Sequence, residues 1–359
     1  MPGSNGSGTA VRVSRPTIAI DGEDKSALAE GLLNMMIVET TEGLYRMEAT
    51  FGNWGTVNGR IGFLYFDRQT LDFGKTVKIK LGSDSLFEGR ISGLEANLPE
   101  GRPPEITVLA EDRFQDLRMK RRTRTFDEMS DSDIANRIAS DHSLTPNVNI
   151  SGPTHKVMAQ VNQSDLAFLR ERARSVDAEL WMEGSALNVQ SHSSRGGQPL
   201  ELTYGQGLRE FRVLADLSLQ RTSFSVNGWD VAGKSAITNE ATASVISSEV
   251  NGDVSGVSIL SSKFGDRKES VAHNVPLTSQ EAQSAAESFF RLTARRFVVG
   301  RGVAETDARI QVGRKARISG LGPLFSGTYY LTEVRHLFDG ALGIRTEFTG
   351  QRPGIGQAS

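Results

Sequence analysis

The side chains that most often perform chemistry are sparse in this sequence. Its five histidines, His142, His155, His192, His273 and His336, lie no closer than 13 residues to one another. No His-x-x-x-His pair sets two imidazoles on one helical face, so a local metal site is not expected. There is no cysteine, which removes disulfides, thiolate ligands and thiol nucleophiles. No Gly-x-Ser-x-Gly turn presents a serine nucleophile, although a triad assembled from distant residues would leave no such trace. "GRGVAE" (Gly300 to Glu305) begins like a dinucleotide-binding loop. It lacks the third glycine and follows a helix where a strand is required. "EDRFQD" (Glu111 to Asp116) offers carboxylates for acid–base work, but a polar strand exit is the plainer reading. The expectation is no catalytic residue, no cofactor-binding residue and no metal site.

One charge cluster stands out. "RMKRRTR" carries Arg118, Lys120, Arg121, Arg122 and Arg124. A phosphate-binding or nucleic-acid patch would interleave aromatics with these cations. The first aromatic is Phe126, and Asp127, Glu128, Asp131 and Asp133 follow at once. A solvated segment or a subunit contact is the better reading. Over the whole chain 41 basic residues face 43 acidic ones, so no bulk attraction to nucleic acid or anionic membrane is implied. The most apolar run, "LLNMMIV" (Leu32 to Val38), is far too short for a membrane span. The start, "MPGSNGSGTAVRVSRP", lacks the basic and apolar regions of a secretion signal. A soluble protein made in the cytoplasm is expected, with no membrane insertion and no direct nucleic-acid partner.

The elements that must position these residues follow from periodicity. A length of 359 residues allows two or three domains. Residues 1–10 are Gly/Ser-rich and expected to be disordered. "VKIKL" (Val77 to Leu81) alternates apolar and basic residues as a half-buried strand does. "LYRMEATF" and "EITVLAED" also read as strands, each after a turn-like segment. The pattern then becomes helical. Ser130 and Asp133 form a capping box before Ile134 and Ile138, and Ser164 caps a helix carrying Leu166, Leu169, Ala173 and Val176. "LWMEGSALNV" reads as a hairpin turning at Gly184-Ser185. Strand character returns at Leu217 to Asp230, and Thr278 with Glu281 caps a further helix that stops near Gly300. The Ser/Gly-rich span between them, "SVISSEVNGDVSGVSILSSKFGD", is expected to be a variable insertion too polar for a core.

The fold expected is mainly β with α+β insertions: two similar small antiparallel β-barrels, a small α/β module and a helix-bearing insertion. The boundaries are a disordered tail at 1–10, a first β-barrel at 11–112 and an α/β module at 113–203. A second β-barrel takes 204–232 and 296–352, interrupted by a helix-bearing insertion at 233–295, and a tail occupies 353–359.

The two barrels are inferred from a repeat. "LFEGR" (Leu86 to Arg90) and "LFSGT" (Leu324 to Thr328) read alike. Phe-x-Gly occurs four times, so context decides. Gly74 precedes Ile79 by five residues, as Gly313 precedes Ile318, each with basic residues between. Gly74 to Phe87 is 13 residues and Gly313 to Phe325 is 12. A further strand begins 17 residues past Gly89 and past Gly327, at Ile106 and Ile344. The repeat positions are therefore Gly74, Phe87, Gly89, Gly313, Phe325 and Gly327. Phe87 and Phe325 are expected to fill barrel interiors, while Gly89 and Gly327 mark bulges or close backbone approach.

The run "RRTRTFDEMSDSDIANRIASDHSL", then "QVNQSDLAFLRERARSVDAELW", "YGQGLREF", "VNGWD" and "GLGPLFSGTYYLTEVRHLFD", resembles the phage late control protein D family. These are baseplate hub proteins of contractile phage tails, similar also to the N-terminal part of VgrG spike proteins. The resemblance runs in order from about residue 11 to 350, and Asp177-Ala178 stands where a glycine is expected. It implies a non-enzymatic homotrimer in which two barrels per chain make six nearly equivalent positions. Such a ring adapts a threefold spike to the sixfold inner tail tube, with other baseplate proteins around it. The chain stops at Ser359, so the spike is expected on a separate polypeptide. The implied location is the bacterial cytoplasm during assembly, then a phage tail or injection-system particle. Two rivals remain: a tail-associated cell-wall-degrading enzyme, needing acidic residues in a cleft, and a glycan-binding β-domain protein, needing exposed aromatic platforms.

Overall fold

The computed structural model describes residues 15–231, 233–271 and 276–357. The tail expected to be disordered, 1–10, and His273 lie outside the described residues. Six main strands build the sheet of the first half: β1 (Thr17–Ile20), β2 (Leu32–Thr40), β3 (Arg46–Gly52), β4 (Thr76–Leu81), β5 (Asp84–Asn97) and β6 (Glu105–Glu111), with the two-residue strand Glu23–Asp24 on the outer edge of β1. Alternation along β4 works as expected. Val77 and Ile79 are buried, while Lys78 reaches across the ladder to Glu88 at 2.8 Å. The strands order β1-β4-β5-β6-β3-β2, all antiparallel, around a core that includes Ile37, Phe51, Ile79 and Phe87.

The module follows with β7 (Arg121–Ser130), α1 (Asp131–Asp141), β8 (Thr145–Asn149), β9 (Thr154–Ser164), α2 (Asp165–Ser175), β10 (Ala178–Glu183) and β11 (Ala186–Ser191). Ser130 and Asp133 form the capping box, and Ser164 accepts the Ala167 N–H. The β10–β11 hairpin turns at Gly184, where φ is 56°. The unexpected Asp177 adopts φ 52°, a conformation that glycine takes without strain and Asp tolerates better than most residues.

The second half begins with β12 (Leu200–Tyr204) and β13 (Gly207–Ala215). Next come β14 (Ser223–Asp230), β15 (Ser235–Thr242), α3 (Gly256–Phe264), β16 (Lys268–Val271) and α4 (Ser279–Ala294), capped by Thr278. The chain closes with β17 (Val298–Glu305), β18 (Lys315–Ser319), β19 (Gly327–Asp339) and β20 (Gly343–Arg352). Strands β12, β13, β17, β20, β19 and β18 form a closed six-stranded barrel. Its closing strand, β12, runs parallel to both neighbours. In the first half no ladder among the described residues joins β1 to β2. The outer edge of β2 instead pairs with β19, from Asn34↔Asp339 to Thr40↔Glu333, so one 13-stranded sheet runs through both halves.

Two expectations are corrected here. Strand β14, assigned to the second barrel, pairs with β15 and β16 in a separate sheet, whereas Leu200–Tyr204, assigned to the module, closes the barrel. The span expected to be too polar for a core buries Ile246, Val257 and Leu260, the first two against α4 in a core of their own. The polar residues there cap and turn, as when Ser255 accepts the Ser258 N–H; a handful of well-spaced apolar residues is enough for the rest.

The duplication appears in the ladders. β2–β3 pairs Leu32 with Phe51, then Asn34 with Thr50, leaving Leu33 as a bulge. β13–β17 pairs Leu208 with Ala304, then Glu210 with Val303, leaving Arg209. β5–β6 skips Ser92 between Ile91↔Ala110 and Gly93↔Leu109. β19–β20 skips Thr332 between Leu331↔Gly350 and Glu333↔Thr349. Both bulges recur at the same step, so the halves share a register as well as a strand order.

Candidate functional site

The halves and the module meet at a buried polar centre. Glu179 on β10 takes hydrogen bonds from Arg195 Nη1 at 2.8 Å and Tyr330 Oη at 2.7 Å, and its other oxygen lies 3.0 Å from His192 Nδ1. Arg195 also donates to Tyr45 Oη at 2.8 Å, and its guanidinium sits 4.0 Å above the Trp181 ring. Tyr45 comes from the first half, Tyr330 from the second, and Glu179 and Arg195 from the module and the loop after it. Burial opposes the Glu179 charge, but His192 and Arg195 hold its carboxyl below the usual range. An ion pair so satisfied is a directional joint between three bodies.

Beside it opens a cavity of about 850 Å³, lined by Glu39, Tyr45, Phe87, Asp112, Trp181, Arg195 and Arg314 among others. Glu39 is fully buried at the end of β2 and accepts the Val312 N–H at 3.1 Å. Burial raises its carboxyl to about 7. Asp112 is likewise raised to about 7 by burial, while accepting the Tyr45 and Phe114 N–H groups at 2.9 Å. Both carboxylates hold backbone; neither is set against a serine hydroxyl in the manner of a nucleophile and its base.

The remaining titratable groups link elements. His155 lies between Asp131 and Glu281, at 3.2 and 2.7 Å, and so ties α1 to α4. Burial works against its charge, but the two carboxylates prevail and raise its pKa to about 9. His142 meets Asp165 at 2.8 Å. His336 is buried opposite Ile37 in the β2–β19 joint, shares a hydrogen bond with Thr346 Oγ1, and is lowered to about 4 by burial. Among the described residues no three His, Asp or Glu side chains are grouped to hold a metal.

The basic run does not form a patch. Arg118 pairs with Glu111, Arg122 and Arg124 with the buried Asp165, and Arg121 donates to the Asn162 carbonyl. In "EDRFQD", Asp116 pairs with Arg90. The buried partners Glu179, Arg195 and Asp165 were not picked out in the sequence. Only Asp165, directly after the Ser164 cap, stood at a position with a visible signal.

The repeat positions divide into two sets. Gly74 (φ 80°) and Gly313 (φ 84°) donate to the Ile91 and Leu331 carbonyls at 2.8 and 2.9 Å, and occupy one place in their halves. Gly313 is further constrained because a Cβ there would overlap the Arg195 side chain. The Phe-x-Gly positions do not match. Phe87 is buried opposite Ile79 and beside Gly89, where a Cβ would come within 2.6 Å of the Phe87 ring. The residue opposite Ile318 is Gly327, not Phe325. Phe325 ends a short helix, Gly322–Phe325, and is only half-buried against the second barrel's core. The buried Tyr329 occupies the ladder position of Gly89. The motif slides by two residues: Gly327 sits one pleat repeat from the ladder position of Gly89 and keeps its facing, while Phe325 falls outside the strand, so the two copies match by sequence alone.

A cluster of exposed aromatics stands apart. Trp54, Phe63 and Phe66 surround the small hairpin Gly55–Val57/Arg60–Gly62, with ring centroids 5.3 and 4.7 Å apart. Among the described residues no helix is long and apolar enough to cross a membrane.

A family model described as the Alg8 N-terminal domain matches residues 61–339, more than half of the chain. The chain belongs to that family. This member of the Alg8 N-terminal domain family is also similar to a 43 kDa tail protein of prophage MuSo2 from Shewanella oneidensis. The two are 12% identical with a TM-score of 0.71, over 94% of this chain and 98% of that one. A tail protein from Neisseria meningitidis MC58 gives 12% identity and 0.69, over 95% and 97%. An Escherichia coli protein described as a component of the type VI secretion system gives 12% and 0.54, over 91% and 76%. These likenesses establish a shared fold over most of this chain. No curated protein matches the chain.

Proposed function

We propose that this chain is a structural hub protein of the baseplate of a contractile phage tail or a related injection system. In this reading it is a homotrimeric, non-enzymatic adapter between a sixfold inner tail tube and a threefold spike carried on a separate chain. The internal duplication carries the proposal: two halves with the same ladder registers and bulges let three chains present six nearly equivalent positions. The late control protein D resemblance and the tail-protein fold support it. The polar centre at Glu179 and Arg195 suits a part that carries load, because it fixes both halves and the module to one another. Spike, tube and other baseplate proteins are its proposed partners, with assembly in the bacterial cytoplasm and no direct contact to nucleic acid or membrane.

Deleting the gene in the producing bacterium tests this. Electron micrographs should show no complete tails, with activity restored by the gene in trans. Normal, functional particles without the chain would overturn the reading. The exposed Trp54–Phe63–Phe66 cluster favours a second reading, a glycan-contacting platform, whose test is given below.

A further inference from the structure

We infer that the edge of β5 in one chain pairs with the edge of β13 in the next copy, in a register set by the chain's own β2–β19 joint. The inference rests on the trimeric reading above and names the contact that would build it.

Inside the chain, the far end of β19 has two neighbours: β20 on one edge and β2 on the other. In the first half the counterpart of that segment is the far end of β5. The matched bulges align Glu333 with Gly93 and Val334 with Leu94. This end of β5 pairs with β6 alone; among the described residues its second edge is empty. The counterpart of β2 is β13, aligned Asn34 to Glu210 and Ile37 to Val213. Beyond Leu208, β13 pairs among the described residues with β17 alone, and its second edge is empty there too. Each chain thus contains one joined pair of edges and one parted pair of the same kind.

The side chains agree. At the internal joint Val334, His336 and Phe338 lie opposite Glu39, Ile37 and Met35. Transferred residue by residue, that register sets Leu94 opposite Ala215, Ala96 opposite Val213 and Leu98 opposite Phe211. This face is apolar throughout. On the other face Glu95 lies diagonal to Arg212, an attractive pair across an antiparallel ladder. Exposure tells the same story: Val38 is 5% exposed and its counterpart Leu214 is 61%; Phe338 is 2% exposed and its counterpart position, Leu98, is 59%. At these two positions an apolar residue buried at the internal joint has a bare counterpart at an open edge, where unpaired strands recruit another strand. The contact is heterologous, β5 to β13, so successive chains join head to tail and a ring forms when the rotation closes.

The chain has no cysteine, so introduced thiols report the register directly. The double variant Ala96→Cys/Val213→Cys, oxidised at high protein concentration, should give reducible multi-chain products ending at a covalent ring. Val213→Cys alone should give no ring. Ala96→Cys/Leu214→Cys, one residue out of register and on opposite faces, should give little product. Efficient crosslinking of that control, or of Val213→Cys alone, would overturn the register. An oligomer by sedimentation that fails to crosslink through Ala96→Cys/Val213→Cys would overturn the contact while leaving the trimer intact. A monomer at every concentration would overturn both. Should the thiol variants misfold, Leu214→Asp at an exposed position serves instead: it should abolish association with the melting temperature unchanged, and undiminished association would contradict the pairing.

Discussion

Ser92 and Thr332 occupy the same bulge in the two halves. Each hydroxyl donates across the ladder to one carbonyl, Leu109 and Thr349, at 3.3 Å in both cases. Two residues of different type do one job in one geometry, so the duplication lies in the register rather than in identity of side chains. The functional reading rests on that register.

The corrected repeat separates two phenylalanines that the sequence treated as equivalents. Phe87→Ala empties a buried ring site and should cost roughly 3–5 kcal/mol. Phe325→Ala, at a half-buried helix end, should cost roughly 1–2 kcal/mol. Thermal melts of both variants give the comparison; equal losses would contradict the offset.

Arg195 should be far less replaceable than its neighbours. Arg195→Met leaves the buried Glu179 without its cation and Tyr45 without its donor, a loss of roughly 3–5 kcal/mol. Denaturant unfolding measures it. A change below about 1 kcal/mol, within the range of an ordinary surface ion pair, would show that the centre is not a joint.

Glu39 should make stability pH-dependent. Its carboxyl is raised from 4.5 to about 7, so across that window the native state keeps a proton that the unfolded chain releases. Stability falls as pH rises through it. Glu39→Gln keeps an acceptor for the Val312 N–H and should flatten that part of the profile. Melting curves between pH 4.5 and 7.5 check this; an unchanged slope would refute it.

Much of this was legible in sequence, and the reasons differ by element. Caps at Ser130, Ser164 and Thr278 were readable because a hydroxyl three residues from a helical N–H is a local device. Strand β4 was readable because Val77 and Ile79 alternate with Lys78 and Lys80. The Phe-x-Gly equivalence misled because a two-residue slip preserves the facing of the glycine, and only the ladder hydrogen bonds show that Phe325 falls outside the strand. Strand β12 escaped because its partners are β13 and β18, and no local pattern reports a parallel closure. The centre at Glu179 and Arg195 escaped for a similar reason: Tyr45 and Tyr330 come together only in the fold.

The proposed adapter role predicts no turnover of cell-wall polymer and no binding of glycan. Incubation with peptidoglycan should release no product above a heat-treated control, and calorimetric titration with glycan fragments should show no saturable heat. Turnover lost on changing a single carboxylate would favour the cell-wall-degrading rival. Saturable binding lost in Trp54→Ala would favour the glycan-contacting one.

The stoichiometry of the hub is the most direct test of the central claim. Native mass spectrometry of this chain purified together with its spike should show three copies of it per complex. One or two copies in a stable complex would contradict the adapter account.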